Sequence, residues 1–153
     1  MYKKIIVPTD GSGTAQRALD EARRLAAALG SEIALMFVVD NSDLLYNVGY
    51  YDPKFLHQEQ AAFGKATLDD AAAILKAQGI PCTTHVIDEP VALGDISGTI
   101  LQHAAHVEAE LIVLGTHGRR GVRRLVMGSV AEGVIRKAVL PVLLIHADPA
   151  AQR

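Results

Sequence analysis

Cysteine is almost absent from this chain. The single Cys82 among 153 residues excludes an intramolecular disulfide and makes a reducing cytoplasm the expected setting. Cys82 has no obvious base directly beside it in sequence, so an inert thiol is the plain reading. Long apolar runs are absent too: none approaches the roughly 20 residues of a membrane span. The opening Met1-Tyr2-Lys3-Lys4-Ile5-Ile6-Val7-Pro8 is too short and too soon broken by proline to read as a secretory signal. There is no G-x4-G-K-[ST] segment, which excludes a Walker-type loop. Gly11-Ser12-Gly13 begins a dinucleotide fingerprint, but Gln16 stands where its third glycine belongs. Net charge is small, −2, so there is no broad cationic surface of the kind a nucleic-acid groove requires.

What the chain does have is Gly115-Thr-His-Gly118-Arg-Arg-Gly-Val-Arg-Arg-Leu-Val-Met-Gly128-Ser129, a G-x2-G-x9-G-S frame directly after the apolar run Leu111-Ile112-Val113-Leu114. Such a loop between a buried strand and a helix suits phosphate. Glycines let the backbone come close to an anion and take positive φ. The Ser129 hydroxyl and the N–H groups of the following helix then face it, with the helix dipole favouring negative charge. Residues 119–137 carry Arg119, Arg120, Arg123, Arg124, Arg136 and Lys137 against Glu132, a net of +5 in a chain of −2, which leaves −7 elsewhere. One basic island on the glycine loop of an acidic protein points to a small polyanion.

At this length the chain is expected to form one domain over 1–153, half of it hydrophobic and 21% charged. Five runs rich in Ile, Val and Leu (3–7, 32–39, 82–87, 111–114 and 142–145) read as strands buried on both faces. Helical spacing fills the gaps. Ala15, Ala18, Leu19, Ala22, Leu25, Ala26 and Leu29 form one stripe, stopped by Gly30. Phe63, Thr67, Ala71, Ile74 and Leu75 form a second, ended by Gly79 and Pro81. Ile96, Thr99, Ile100, Ala104 and Val107 form a third with Asp95 as N-cap. The fourth runs from Ser129 to before Pro141, with Val130 and Val134 inward. The βαβαβαβαβ order predicts a doubly wound α/β fold, a five-stranded parallel sheet with helices on both faces. Ligands of such sheets bind beyond the carboxyl ends of the strands at the switch point. Strand order 3-2-1-4-5 would bring Pro8-Thr9-Asp10-Gly11 beside the glycine loop.

With these residues in place, the chain resembles the universal stress protein family, in its ATP-binding branch. The resemblance runs from Ile5-Ile6-Val7-Pro8-Thr9-Asp10-Gly11-Ser12 through Val38-Val39-Asp40, Gly94-Asp95-Ile96 and the whole glycine frame to Gly128-Ser129-Val130-Ala131-Glu132 and Pro141-Val142-Leu143-Leu144-Ile145. It implies that Asp10 contacts the ribose side of a nucleotide and that Pro8 and Thr9 wall the pocket. It places the Val39 backbone against adenine and Gly115 near the ribose. Gly118, Gly128, Ser129 and Val130 would hold the phosphates through N–H groups. Mg²⁺ would accompany them, since the donors at hand are oxygens and water. The resemblance also implies a homodimer through antiparallel pairing of Val142, Leu143, Leu144 and Ile145, which would cover an apolar edge.

Plainer readings stand beside these. Asp10 occupies a helix-capping position, and Ser129 is an N-cap on either view. Arg119, Arg120, Arg123 and Arg124 suit a solvated loop as well as phosphate. His117 is expected to orient or wall the ligand rather than act as a base. His103 and His106 are three apart, a metal-ligating spacing, but no third ligand is evident and a hydrogen-bonded structural histidine is expected. Residues 46–63 hold Tyr46, Tyr50, Tyr51, Phe55 and Phe63, five of the seven aromatics, and 41–53 reads as a long loop that either lids the ligand or packs on the next helix.

The function expected from all this is a cytoplasmic, ATP-binding regulatory protein of the stress-response type whose nucleotide state shifts loop populations. The alternatives are a slow ATPase or phosphotransferase, with Asp10 and His117 as the groups able to orient water, and a dimeric interaction module independent of nucleotide. Neither nucleic acid nor membrane is an expected partner.

Overall fold

The computed structural model describes residues 1–40, 53–88, 95–117 and 127–148. Nine elements follow in strict alternation: β1 (Lys4–Pro8), α1 (Gly13–Leu29), β2 (Glu32–Val38), α2 (Pro53–Ala77), β3 (Cys82–Ile87), α3 (Ile96–His106), β4 (Leu111–Gly115), α4 (Ser129–Lys137) and β5 (Val142–Ile145). The strands form one parallel sheet in the order β3-β2-β1-β4-β5, as expected.

Side chains alternate along each central strand, so each strand feeds two cores. Ile5, Val7, Ile33, Leu35, Phe37, Leu111 and Val113 face α1 and α2, whose Ala18, Leu19, Ala22, Leu68, Ala72 and Leu75 cover them. Ile6, Ala34, Met36, Ile112 and Leu114 face α3 and α4, met by Ile100, Ala104, Ala131 and Val134. Alanines on α1 let that helix lie close to the sheet. Two-sided burial holds for β1, β2 and β4. It fails at the edge strand β3, where Thr83 and Thr84 are exposed, and β5 is half-buried throughout.

The helix ends are chemically specified. Asp95 caps α3 by accepting from Gly98 N at 2.9 Å, and Gly30 closes α1 in the left-handed region, φ 69°. One capping alternative and one capping expectation are corrected. The cap of α1 is Ser12, whose Oγ accepts from Ala15 N at 3.1 Å, not Asp10. The N-cap of α4 is Gly128, which supplies no side-chain bond, and Ser129 is the first helical residue. The α2 stripe is also rotated from its expected phase. Its inward side is Gly64, Leu68, Ala71, Ala72 and Leu75, while Phe63 and Ile74 are each 43% exposed. The reason lies at Gly64, where a Cβ would come within 2.5 Å of the Phe37 ring. A glycine carries no hydrophobic signal, so the true contact line is hidden in the apolar pattern.

Candidate functional site

The sheet opens at its centre. β1 and β4 pair through Ile5–Leu111 and Ile6–Ile112, and the pairing ends there although both strands continue. Beyond that point β1 stays with β2 as far as Pro8–Met36, and β4 stays with β5 as far as Gly115–Ile145. Proline is the local cause. Thr9 N donates to Met36 O at 2.9 Å, so by strand alternation the next N–H aimed at β4 would belong to position 8. Pro8 has none. The crevice at the switch point is therefore built into β1.

One wall is the β1–α1 turn. Asp10 Oδ1 accepts from Ser12 N at 2.9 Å, and Thr9 Oγ1 accepts from Gly11 N at 3.3 Å. Gly11 sits at φ 81°, a conformation that excludes most side chains, and a Cβ there would meet the Phe63 ring at 3.1 Å. These bonds hold Asp10 half-buried at the carboxyl end of β1. Val39 lies at the end of the next strand, fully buried, its N–H donating to Ile87 O at 2.8 Å.

The facing wall is the end of β4. A Cβ on Gly115 would lie 2.5 Å from Thr14 Cγ2 and 3.2 Å from the Thr14 backbone carbon, so this glycine lets the start of α1 close on β4. Thr116 is 2% exposed and joins three segments. Its N–H donates to Ile145 O at 2.9 Å and its carbonyl accepts from Gly128 N at 2.7 Å. Its Oγ1 lies 2.9 Å from His117 Nδ1. The Gly128 contact ties the start of α4 to the end of β4 and places an exposed Ser129 and a half-buried Val130 on the first turn beside them. That turn has no side-chain cap, and Glu132 within it pairs with Arg136 at 2.8 Å. From α1, Arg17 Nη1 donates to His146 O at 2.7 Å and joins the far side of the crevice to the chain after β5.

Pro8, Thr9, Asp10, Gly115, His117, Gly128, Ser129 and Val130 thus border the central crevice, with Val39 one strand away along the same sheet end. Gly118 and Arg119, Arg120, Arg123 and Arg124 lie outside the described residues, as do Gly94, the loop 41–52 and its Tyr46, Tyr50 and Tyr51. The glycine argument is corrected in one respect. Gly128 has an ordinary φ of −64°, and neither it nor Gly115 is among the positive-φ glycines. Both positions need glycine for close approach. Thr14, Arg17 and Thr116 were missed from the sequence, because each matters through a partner distant in the chain. Among the described residues no group of three or more His, Cys, Asp or Glu can hold a metal ion. No described helix is long and apolar enough to cross a membrane.

A parallel five-stranded sheet that parts at a proline-terminated central strand defines a doubly wound α/β domain. Residues 1–146 match the universal stress protein family, and the chain belongs to it. Universal stress protein MJ0531 of Methanocaldococcus jannaschii is 30% identical over 145 residues, covering 95% of this chain and 82% of that protein. The crystal structure of a universal stress protein family member from Burkholderia pseudomallei superposes with a TM-score of 0.79 at 34% identity, covering 95% and 97% of the two chains. The Archaeoglobus fulgidus universal stress protein in complex with dAMP gives a TM-score of 0.67 at 28% identity over 94% and 98%.

Proposed function

We propose that this chain is a regulatory protein that binds ATP in the central crevice and signals through the nucleotide-dependent arrangement of its loops. The observation carrying this is the contact of Gly128 with Thr116 O on the β4 side of the crevice, beside the point where β1 parts from β4. It sets an uncapped helix N-terminus at the mouth of a crevice walled by Asp10. Backbone N–H groups and the helix dipole there suit phosphate, and a family member with dAMP bound supports an adenine nucleotide as the ligand. In this reading Asp10 contacts the ribose side with Pro8 and Thr9 walling the pocket, the Val39 backbone meets the base, Gly115 lies near the ribose, and His117 walls or orients the ligand. Gly118, Gly128, Ser129 and Val130 hold the phosphates. Mg²⁺ fits as a companion of the phosphates, with Ser129 Oγ and water as oxygen donors, rather than as an ion in a protein cage. A reducing cytoplasm suits a chain whose Cys82 is a free thiol.

Calorimetric titration of nucleotide-stripped protein with ATP and Mg²⁺ tests this. Saturable binding of one nucleotide per chain is expected, with Kd in the micromolar range, about −8 kcal/mol. A folded protein showing no heat up to about millimolar ATP would end the nucleotide reading. Phosphate release faster than about 1 s⁻¹ would replace the regulatory role with an enzymatic one.

The same proposal includes a homodimer through β5. That strand closes one end of the sheet, and Ile135 and Val139, which precede it in the chain, are 42% and 100% exposed. Pro141 O and Ile145 O accept from β4, which turns the N–H of Val142 away from the sheet. Val142→Pro therefore removes an outward donor at the first position of the strand, where proline is tolerated. Sedimentation should give twice the monomer mass for the wild type and a shift toward monomer for the variant. A wild-type monomer at tens of micromolar would exclude this assembly.

A further inference from the structure

Away from the crevice, an imidazole of the edge strand meets two of α3. The His85 and His103 rings lie edge to face with centroids 4.6 Å apart, and His103 and His106 are 5.9 Å apart. His85 and His103 are half-buried and His106 is exposed. His85 Nε2 lies 3.0 Å from Thr83 Oγ1 on its own strand. His103 Nε2 is buried and has no hydrogen-bond partner. This corrects the expectation of a hydrogen-bonded structural histidine, and an unpaired buried nitrogen at a histidine cluster calls for an explanation.

We propose that His85, His103 and His106 form an acid-responsive latch, closed between β3 and α3 while the rings are neutral and opened when they take up protons. Neutral imidazoles pack edge to face as ordinary aromatics do. Imidazolium ions at the same spacing repel one another, and each loses solvation in the partly buried contact. The charged groups facing the cluster from the sheet are Lys4 on β1 and Glu32 on β2, paired at 4.0 Å. Lys4 opposes charge on His85 and Glu32 favours it. Burial is the main influence holding both His85 and His103 below the ordinary imidazole range, reinforced by the neighbouring imidazoles.

The sign follows from linkage. Unfolded histidine titrates near 6.5 and the folded His85 and His103 rings below it, so the open or unfolded state binds more protons at these two rings in the window just under 6.5. The latch is at full strength above that window and weakens as pH falls through it. The movement has a route onward. Gly133 of α4 abuts Ser97 of α3 so closely that a Cβ there would lie 2.5 Å from Ser97 Oγ. Loosening α3 therefore reaches α4, whose first turn borders the crevice. The latch itself stands without any nucleotide.

Histidine ring NMR on the ligand-free protein, with amide exchange of α3 corrected for intrinsic rates, tests this between about pH 7.5 and about pH 5. His85 and His103 should titrate below 6.5, and α3 protection should drop about tenfold for each unit of summed depression. His103→Leu should flatten that drop, with His85→Gln as the second variant should the first fail to fold. Titration of both rings at or above 6.5 overturns the latch. So does a pH dependence of α3 that survives undiminished in either folded variant.

Discussion

Gly128→Val should weaken ATP binding by about a hundredfold while the protein stays folded. The argument is geometric. A Cβ at this position would lie 3.1 Å from Thr116 O and 3.7 Å from His117 Cα. Thr116 cannot retreat cheaply, because its N–H is committed to Ile145 O at 2.9 Å and its side chain is buried. The start of α4 must move instead. That movement breaks the 2.7 Å bond from Gly128 N to Thr116 O, a loss of about 1 kcal/mol in stability. It also withdraws the first-turn N–H groups proposed to hold phosphate. Hydrogen bonds to a charged acceptor contribute about 1.5–3 kcal/mol each, so losing two at the low end of that range costs about two powers of ten in Kd. The backbone at 128 is already in a region open to any residue, φ −64° and ψ 155°. Valine therefore acts through its volume, not through strain. Calorimetry beside a thermal melt separates the two effects. Wild-type affinity in the folded variant would remove the phosphate site from this end of α4.

Ile112→Ala should cost about 2–5 kcal/mol of unfolding free energy. Ile112 is fully buried in β4, in register with Ile6 on one side and Val142 on the other. Its side chain belongs to the core beneath α3 and α4, with Ile100, Ala131 and Val134. That core cannot collapse onto a smaller residue, because the backbone on both sides is fixed by sheet pairing. A cavity is left, and the lost contacts add to the lost burial. With domain stabilities of about 5–15 kcal/mol, the variant gives up a large share of the total. The melting temperature should fall by roughly 5–20 °C. A urea midpoint within error of the wild type would show that the register through Ile112 is wrong.

Sequence reading succeeded where a signal is local. The alternation of apolar runs with helical stripes fixed the α/β class, and Gly30 and Asp95 ended and began helices as their chemistry requires. The spacing of the glycine frame pointed to the end of β4. It failed where a residue's meaning depends on a partner far along the chain. Ser129 read as a cap and Asp10 had capping as its plainer alternative, yet Gly128, one residue before the first, and Ser12, two residues after the second, hold those positions. Gly64 gave no apolar signal, and its fit against Phe37 moved the buried side of α2. His85 lies on a different element from His103 and His106, so spacing along one helix showed a pair where three rings meet.

Composition and order alone determined the class, the parallel sheet and the neighbourhood of the crevice. These follow from hydrophobic periodicity and backbone rules, which act within a few residues. Tertiary structure decided the rest. It set which glycines serve close approach rather than unusual torsion, and it bound Thr116 to both Gly128 and His117. It also parted β1 from β4 at Pro8 and brought three histidines to one edge. Each of these depends on distances between segments that only the packed sheet brings together.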